Sequence, residues 1–171
     1  MRARVLVLGA YGAFGTHVCE RLARTGDVDL LVGGRTRERA HAFAAALSTR
    51  FPVAAEPVAL DAVSMQASDL ASLRPAVVIN ASGPFQAQDY SVARAAIGVG
   101  AHYVDLCDAR AFTVGIAALD AEARHAGVLV TSGASSVPAL SAAAVDAHRG
   151  AFRTLRSITT VISPGNSFDP G

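Results

Sequence analysis

The segment Gly9-Ala10-Tyr11-Gly12-Ala13-Phe14-Gly15 constrains this chain more than any other part of it. It follows the short apolar run Arg4–Leu8 and opens a stretch, Ala13–Arg24, in which Phe14, Val18 and Leu22 recur at helical spacing. Glycines at a strand-to-helix turn have separate tasks: a tight turn, close backbone approach to a ligand, and close packing of helix on strand. The pattern alone is weak. Its place after a first strand, at the head of a βαβ unit, gives it weight.

Strand and helix signals then alternate along the chain. Asp29–Val32 is a second β-rich run closed by Gly33-Gly34, and Thr36 is a suitable N-cap for a helix through Ala40, Phe43, Ala44 and Leu47. Pro57–Leu60 predicts a third strand, Ser68–Leu73 a short helix, and Ala76–Ile79 a fourth strand ending at Asn80-Ala81-Ser82-Gly83-Pro84. A helix over Asp89–Val99 with Gly100 at its end, a fifth strand at Tyr103–Leu106, a helix over Ala111–His125, a sixth strand at Val128–Thr131 and a helix over Ala139–His148 complete the series. Short apolar strands between helices predict an α/β fold: a doubly wound, Rossmann-type, mostly parallel sheet with helices on both faces.

The chain has 171 residues, half of them hydrophobic, enough for one well-buried domain, which we place at 1–150. Leu155–Ser163 is rich in Ile, Val and Thr and is followed by turn residues to Gly171. Residues 151–171 are therefore expected to be the first strand of, or a linker to, a second domain that the chain lacks. No apolar run approaches the roughly 20 residues that span a bilayer. A soluble, cytoplasmic protein is the expectation, with no membrane partner.

The net charge is +1, and Arg35, Arg37 and Arg39 form the one local basic cluster, too small for a nucleic-acid surface. There is no lysine; every basic residue is Arg. That excludes from this chain a P-loop lysine, a Schiff-base lysine and the Tyr-x-x-x-Lys pair of short-chain dehydrogenases. Cys19 and Cys107 make neither a disulfide framework nor a metal-spacing pattern, and no metal is expected. Cys19 falls inside a helix and is expected in the core.

The site follows from these turns. Gly9, Ala10, Tyr11, Gly12, Ala13, Phe14 and Gly15 are expected to cradle a pyrophosphate against free N–H groups at a helix N-terminus. An NAD domain places Asp or Glu about 20 residues later to hold the ribose 2′-OH. Here Gly33-Gly34-Arg35-Thr36-Arg37 stands instead. Arg35 can pair with a 2′-phosphate and stack on adenine, with Thr36 adding a hydroxyl, so the cofactor is read as NADP, a solvated loop charge being the alternative for Arg35. Arg37 and Arg39 are expected to face solvent.

Asp61 is assigned near the adenine amino group, a surface turn being the alternative. Asn80, Ala81, Ser82, Gly83 and Pro84 are expected beside the ribose and nicotinamide. Asp105 and Asp108 can orient a substrate or nicotinamide, or Asp108 can cap the next helix. Cys107 would be a nucleophile only beside an activating base. His102, at the start of its strand, is read as structural.

The chain resembles the NADP-binding domain of the saccharopine dehydrogenase-like oxidoreductases over nearly its whole length. The resemblance rests on Gly9–Gly15, Gly33-Gly-Arg35, Val77-Val-Ile-Asn-Ala-Ser-Gly-Pro-Phe85, Gly100-Ala-His-Tyr-Val-Asp-Leu106, and Gly127 through Ser135-Ser-Val-Pro138. It implies a second α/β domain that closes over nicotinamide, and reversible reduction of an imine or carbonyl-type small molecule. Such proteins commonly show Thr-Gly-Glu after the Asp-Leu of the fifth strand, where Cys107-Asp108-Ala109 stands here. No catalytic residue is carried over. The expectation is a domain that binds NADP(H) without turnover by itself. A dinucleotide-binding sensor is the alternative, and a homodimer stays open.

Overall fold

Along β1 (Ala3–Leu8), Val5 and Val7 point to one side of the sheet and Leu6 and Leu8 to the other, and all four are buried. A strand apolar on both faces needs cover on both, and the rest of the chain supplies it. The computed structural model describes residues 2–161. The further strands are β2 (Val28–Gly34), β3 (Ala55–Ala59), β4 (Val77–Asn80), β5 (His102–Asp105) and β6 (Val130–Thr131). With β1 they form one six-stranded sheet in the order β3-β2-β1-β4-β5-β6, parallel throughout.

The helices are α1 (Ala13–Thr25), α2 (Arg37–Arg50), α3 (Ala67–Ala71), α4 (Ser91–Gly98), α5 (Arg110–Gly115), α6 (Asp120–Ala126) and α7 (Ser141–His148). One face of the sheet packs Val5, Val7, Leu30 and Val32 against Cys19 and Ala23 of α1 and Ala40, Ala44 and Leu47 of α2. The opposite face packs Leu6, Leu8, Leu31, Val78 and Tyr103 against Leu70 of α3, Val92, Ala93, Ala95, Ala96 and Ile97 of α4, and Leu119 and Ala123 at α6. Each buried Leu or Val contributes roughly 1.5–3 kcal/mol through apolar area removed from water. This is the expected doubly wound Rossmann-type α/β fold. Open edge strands invite pairing, and Pro57 blunts β3: Leu60 N–H donates inward to Gly34 O, so the donor that proline lacks falls on the free side.

Several local expectations are corrected. In α1 the fully buried stripe is Gly15, Cys19 and Ala23, with Val18 and Leu22 at its margin, while Phe14 is 61 % exposed at the turn. The helix expected over Ala111–His125 is broken into α5, a 3-10 turn at Ile116–Leu119, and α6. Gly115, a poor helix former, lies against the Tyr90 hydroxyl, which donates to Phe112 O at 3.0 Å. Of the run Leu155–Ser163, residues 155–161 form no strand and are exposed; residues 162–171 lie outside those described.

Candidate functional site

Strand order reverses between β1 and β4, and in open parallel sheets the crevice beyond the carboxyl ends at such a reversal holds the ligand. The chain leaves β1 through Gly9 at φ +70°, where a β-carbon would lie 2.9 Å from Ala81 C and O and from Ser82 Cα. The loop after β4 therefore rests directly on the turn after β1. Gly12 N–H donates to Gly9 O at 2.9 Å, and Ala10, fully buried, donates to Gly33 O at 3.1 Å. Gly12 caps α1 with no side chain, and the first turn of α1 carries no acid. The N–H groups of Ala13, Phe14 and Gly15 have no carbonyl one turn back within the helix. They and the positive end of the helix are left for an anion. The glycine cradle fits a pyrophosphate.

Tyr11 reaches from this turn to the end of β2. Its ring lies where a β-carbon on Gly34 would stand, and its hydroxyl accepts from Thr36 N–H at 2.9 Å. Thr36 is the N-cap of α2, yet its side chain makes no capping bond, so the expected hydroxyl cap is replaced by a tyrosine on its backbone amide. Arg35 is exposed and pairs with no carboxylate among the described residues. Arg39 does not simply face solvent: its guanidinium stacks 4.6 Å from the centre of the Tyr11 ring. The direction of this long helix side chain is decided by an aromatic ring distant in sequence, which helical spacing does not show.

The other expected site residues divide. Asp61 is exposed, and its carboxylate accepts from Val63 N–H at 3.0 Å, a local surface turn beyond β3. Asn80 is 1 % exposed. Its Oδ1 accepts from Ser82 N–H at 3.1 Å and from the Ser82 hydroxyl, and its Nδ2 donates to Tyr103 Oη at 3.4 Å and Gln88 Oε1 at 3.5 Å. Gln88 in turn donates to Ser82 O. Asn80 thus shapes the Ala81–Pro84 loop from beneath, and Gln88, unremarked in the sequence, is its partner. Gly83 and Pro84 are exposed at the top of that loop.

Asp105 is fully buried. One oxygen accepts from Cys107 N–H at 3.0 Å, Gly133 N–H at 2.9 Å and Ser132 Oγ at 2.8 Å, tying the turn after β6 to β5; the other has no partner. The pairing of Asp105 with Ser132 and Gly133 is not local in the sequence; the sheet brings it together. Burial holds the Tyr103 hydroxyl in its protonated form, reinforced by the Asp105 charge. Cys107 packs with Phe85 and Phe112, and burial raises its thiol pKa, the reverse of nucleophile activation. Asp108 is exposed and does not cap α5, whose N-cap is Ala109 without a side-chain bond. His102 Nδ1 accepts from Leu129 N–H at 2.9 Å, a structural role. Among the described residues no three His, Cys, Asp or Glu side chains are placed to hold a metal ion, and no helix is long and apolar enough to cross a membrane.

A parallel sheet wound on both faces, with a glycine-lined helix N-terminus at its switch point, defines a dinucleotide-binding Rossmann domain. The family model of the saccharopine dehydrogenase NADP-binding domain matches residues 5–131. The chain belongs to that family.

Among solved structures it is similar to the bulky-bulky ketone specific alcohol dehydrogenase of Comamonas testosteroni, at 18 % identity and TM-score 0.54 over 93 % of this chain and 97 % of that one. It is likewise similar to a short-chain dehydrogenase of Sphingobium yanoikuyae in complex with NADPH, at 18 % identity and TM-score 0.54 over 93 % and 98 %. An NAD-binding oxidoreductase of Klebsiella pneumoniae aligns at 19 % identity and TM-score 0.53 over 77 % of this chain and 34 % of that one. These likenesses are of fold. No curated protein matches the chain in sequence.

Proposed function

We propose that this chain binds NADP(H) along the β1–β4 crevice and serves an oxidoreductase that moves a hydride to or from an imine or carbonyl carbon of a small molecule. The observation that carries the reading is the pair formed by the uncapped N-terminus of α1 and Arg35 beyond β2, which pairs with no carboxylate among the described residues, with no acid at the end of that strand. The nicotinamide, when bound, supplies or takes the hydride. The work of the protein is placement.

Backbone N–H groups at Ala13–Gly15 hold the pyrophosphate, and Gly9 and Gly12 keep the backbone close enough for them to act. Arg35 and the Thr36 hydroxyl take the 2′-phosphate, which a carboxylate there would repel. The Asp61 turn flanks the adenine. The loop Asn80–Pro84, fixed by the buried Asn80 amide, lies along the ribose and nicotinamide, its small residues letting the ring approach the sheet.

Hydride transfer needs donor and acceptor about 3–3.5 Å apart with water kept out. A second domain supplies that closure and the proton donor or acceptor. Leu140, Phe152, Leu155, Ile158 and Val161, each at least 40 % exposed, support a covering partner for this end of the chain. Residues 151–171 would then lead toward that domain.

Calorimetric titration with NADPH and NADH tests the reading. At least tenfold tighter binding of NADPH is expected, with no turnover of carbonyl or imine substrates by the chain alone. Equal affinities would overturn the cofactor assignment, and turnover would overturn the need for a second domain.

A further inference from the structure

Three observations meet at the end of β2. Tyr11 Oη accepts from Thr36 N–H at 2.9 Å, the Arg39 guanidinium lies 4.6 Å over the Tyr11 ring, and Gly34 alone leaves room for that ring. The phenol accepts one hydrogen bond there and donates none to the described residues, so its proton is available to an acceptor on the open side. Arg39 pairs with no carboxylate among the described residues. Stacking on a fixed ring removes much of the rotamer freedom a free arginine would lose on binding a ligand. Glu38 is the one acid in the first turn of α2, set among Arg35, Arg37 and Arg39, and the local charge remains positive.

We infer that Tyr11 and Arg39 are specificity-determining residues for the phosphorylated ribose. Tyr11 bridges the glycine turn to α2 and donates its hydroxyl proton to a 2′-phosphate oxygen, while Arg39, held on the ring, supplies a second guanidinium beside Arg35. The glycine turn thereby reads the same end of the cofactor that the β2 loop reads. Gly34 follows from this arrangement, because any side chain there would displace the tyrosine. The inference rests on the NADP reading above and adds to it two residues acting through one stacked pair.

The test is calorimetric binding of NADPH and NADH to the 171-residue chain and to its Tyr11→Phe, Arg39→Ala, Arg39→Lys and Arg35→Ala variants. Tyr11→Phe keeps the ring and the stack, so the fold is retained; it should weaken NADPH about fivefold. Arg39→Ala should weaken NADPH about tenfold or more, and Arg39→Lys should recover part of that loss. NADH affinity should stay within about twofold throughout. Suppose the wild type prefers NADPH and Arg35→Ala removes the preference, while Tyr11→Phe and Arg39→Ala leave it intact. The inference then fails and the cofactor reading survives. A wild type without preference would defeat both.

Discussion

The α-carbon of Gly15 stands against the carbonyl of Gly9 with no space between them: a β-carbon on Gly15 would overlap Gly9 O, and would sit 2.8 Å from Gly9 C and 2.9 Å from Ala10 Cα. Both neighbours are backbone, which cannot swing aside as a side chain can. The contact sets how closely α1 meets β1, and so how far its N–H groups project toward a phosphate.

Gly15→Ala should therefore push α1 away from the turn. Overpacking of this kind costs about 1–3 kcal/mol, visible as a lower urea midpoint, and NADPH affinity should fall by at least tenfold. Gly127→Ala is the control. Gly127 has φ +68° with nothing within 4 Å of a β-carbon, so its cost is backbone strain alone and cofactor binding should be unchanged. Equal binding losses in the two variants would show that stability, not geometry at the turn, was being measured.

Arg35→Ala should remove a charge-assisted bond worth roughly 1.5–3 kcal/mol, about ten- to over a hundredfold in NADPH affinity, and leave NADH nearly untouched. Parallel losses for both cofactors would contradict a 2′-phosphate contact.

What the sequence revealed was local. The turn Gly9–Gly15 and its flanking strand and helix carry their signal within neighbouring residues, and the alternation of short apolar runs with helical stretches was enough for the doubly wound class. What it concealed was direction. Asn80 reads as a ligand contact because a polar residue ends a strand, but packing around Tyr103 and Gln88 turns its amide inward. Arg39 reads as a solvated helix charge until Tyr11 is seen beneath it. Asp105 meets Gly133 only after β6 has joined the sheet. Such side chains are assigned by tertiary partners, which spacing along the chain does not encode.

Asp105 is the next place to test. Three donors converge on one of its oxygens in a buried site, so Asp105→Ala would leave Cys107 N–H, Gly133 N–H and the Ser132 hydroxyl without that acceptor. Each orphaned buried group costs about 1–3 kcal/mol, and a loss on the order of 3 kcal/mol in unfolding free energy is expected. Asp105→Asn keeps an acceptor oxygen and should lose clearly less. If urea unfolding ranks the two variants the other way, the carboxylate is not the anchor of the β6 turn.

The cysteines give a pH signature. Burial pushes the Cys19 thiol from an ordinary 9.0 up to about 12, and burial also raises Cys107. A folded-state pKa above the unfolded one means that the native state holds the proton more tightly. The resulting stability is complete below about pH 9 and is lost as pH climbs toward 12, because the unfolded thiol ionises first. Tyr103 shifts in the same direction, so the wild-type curve alone does not isolate the thiol. Cys19→Ala does: it should start lower at pH 7, through the small cavity it makes, and then fall less steeply than wild type as pH rises from 9.0 toward about 12. Neither thiol should react with a disulfide reagent in the native protein at neutral pH, since both side chains are buried and protonated, and both should react in denaturant. Rapid native labelling of Cys107 would show a thiolate open to solvent, and its place among Phe85 and Phe112 would have to be abandoned.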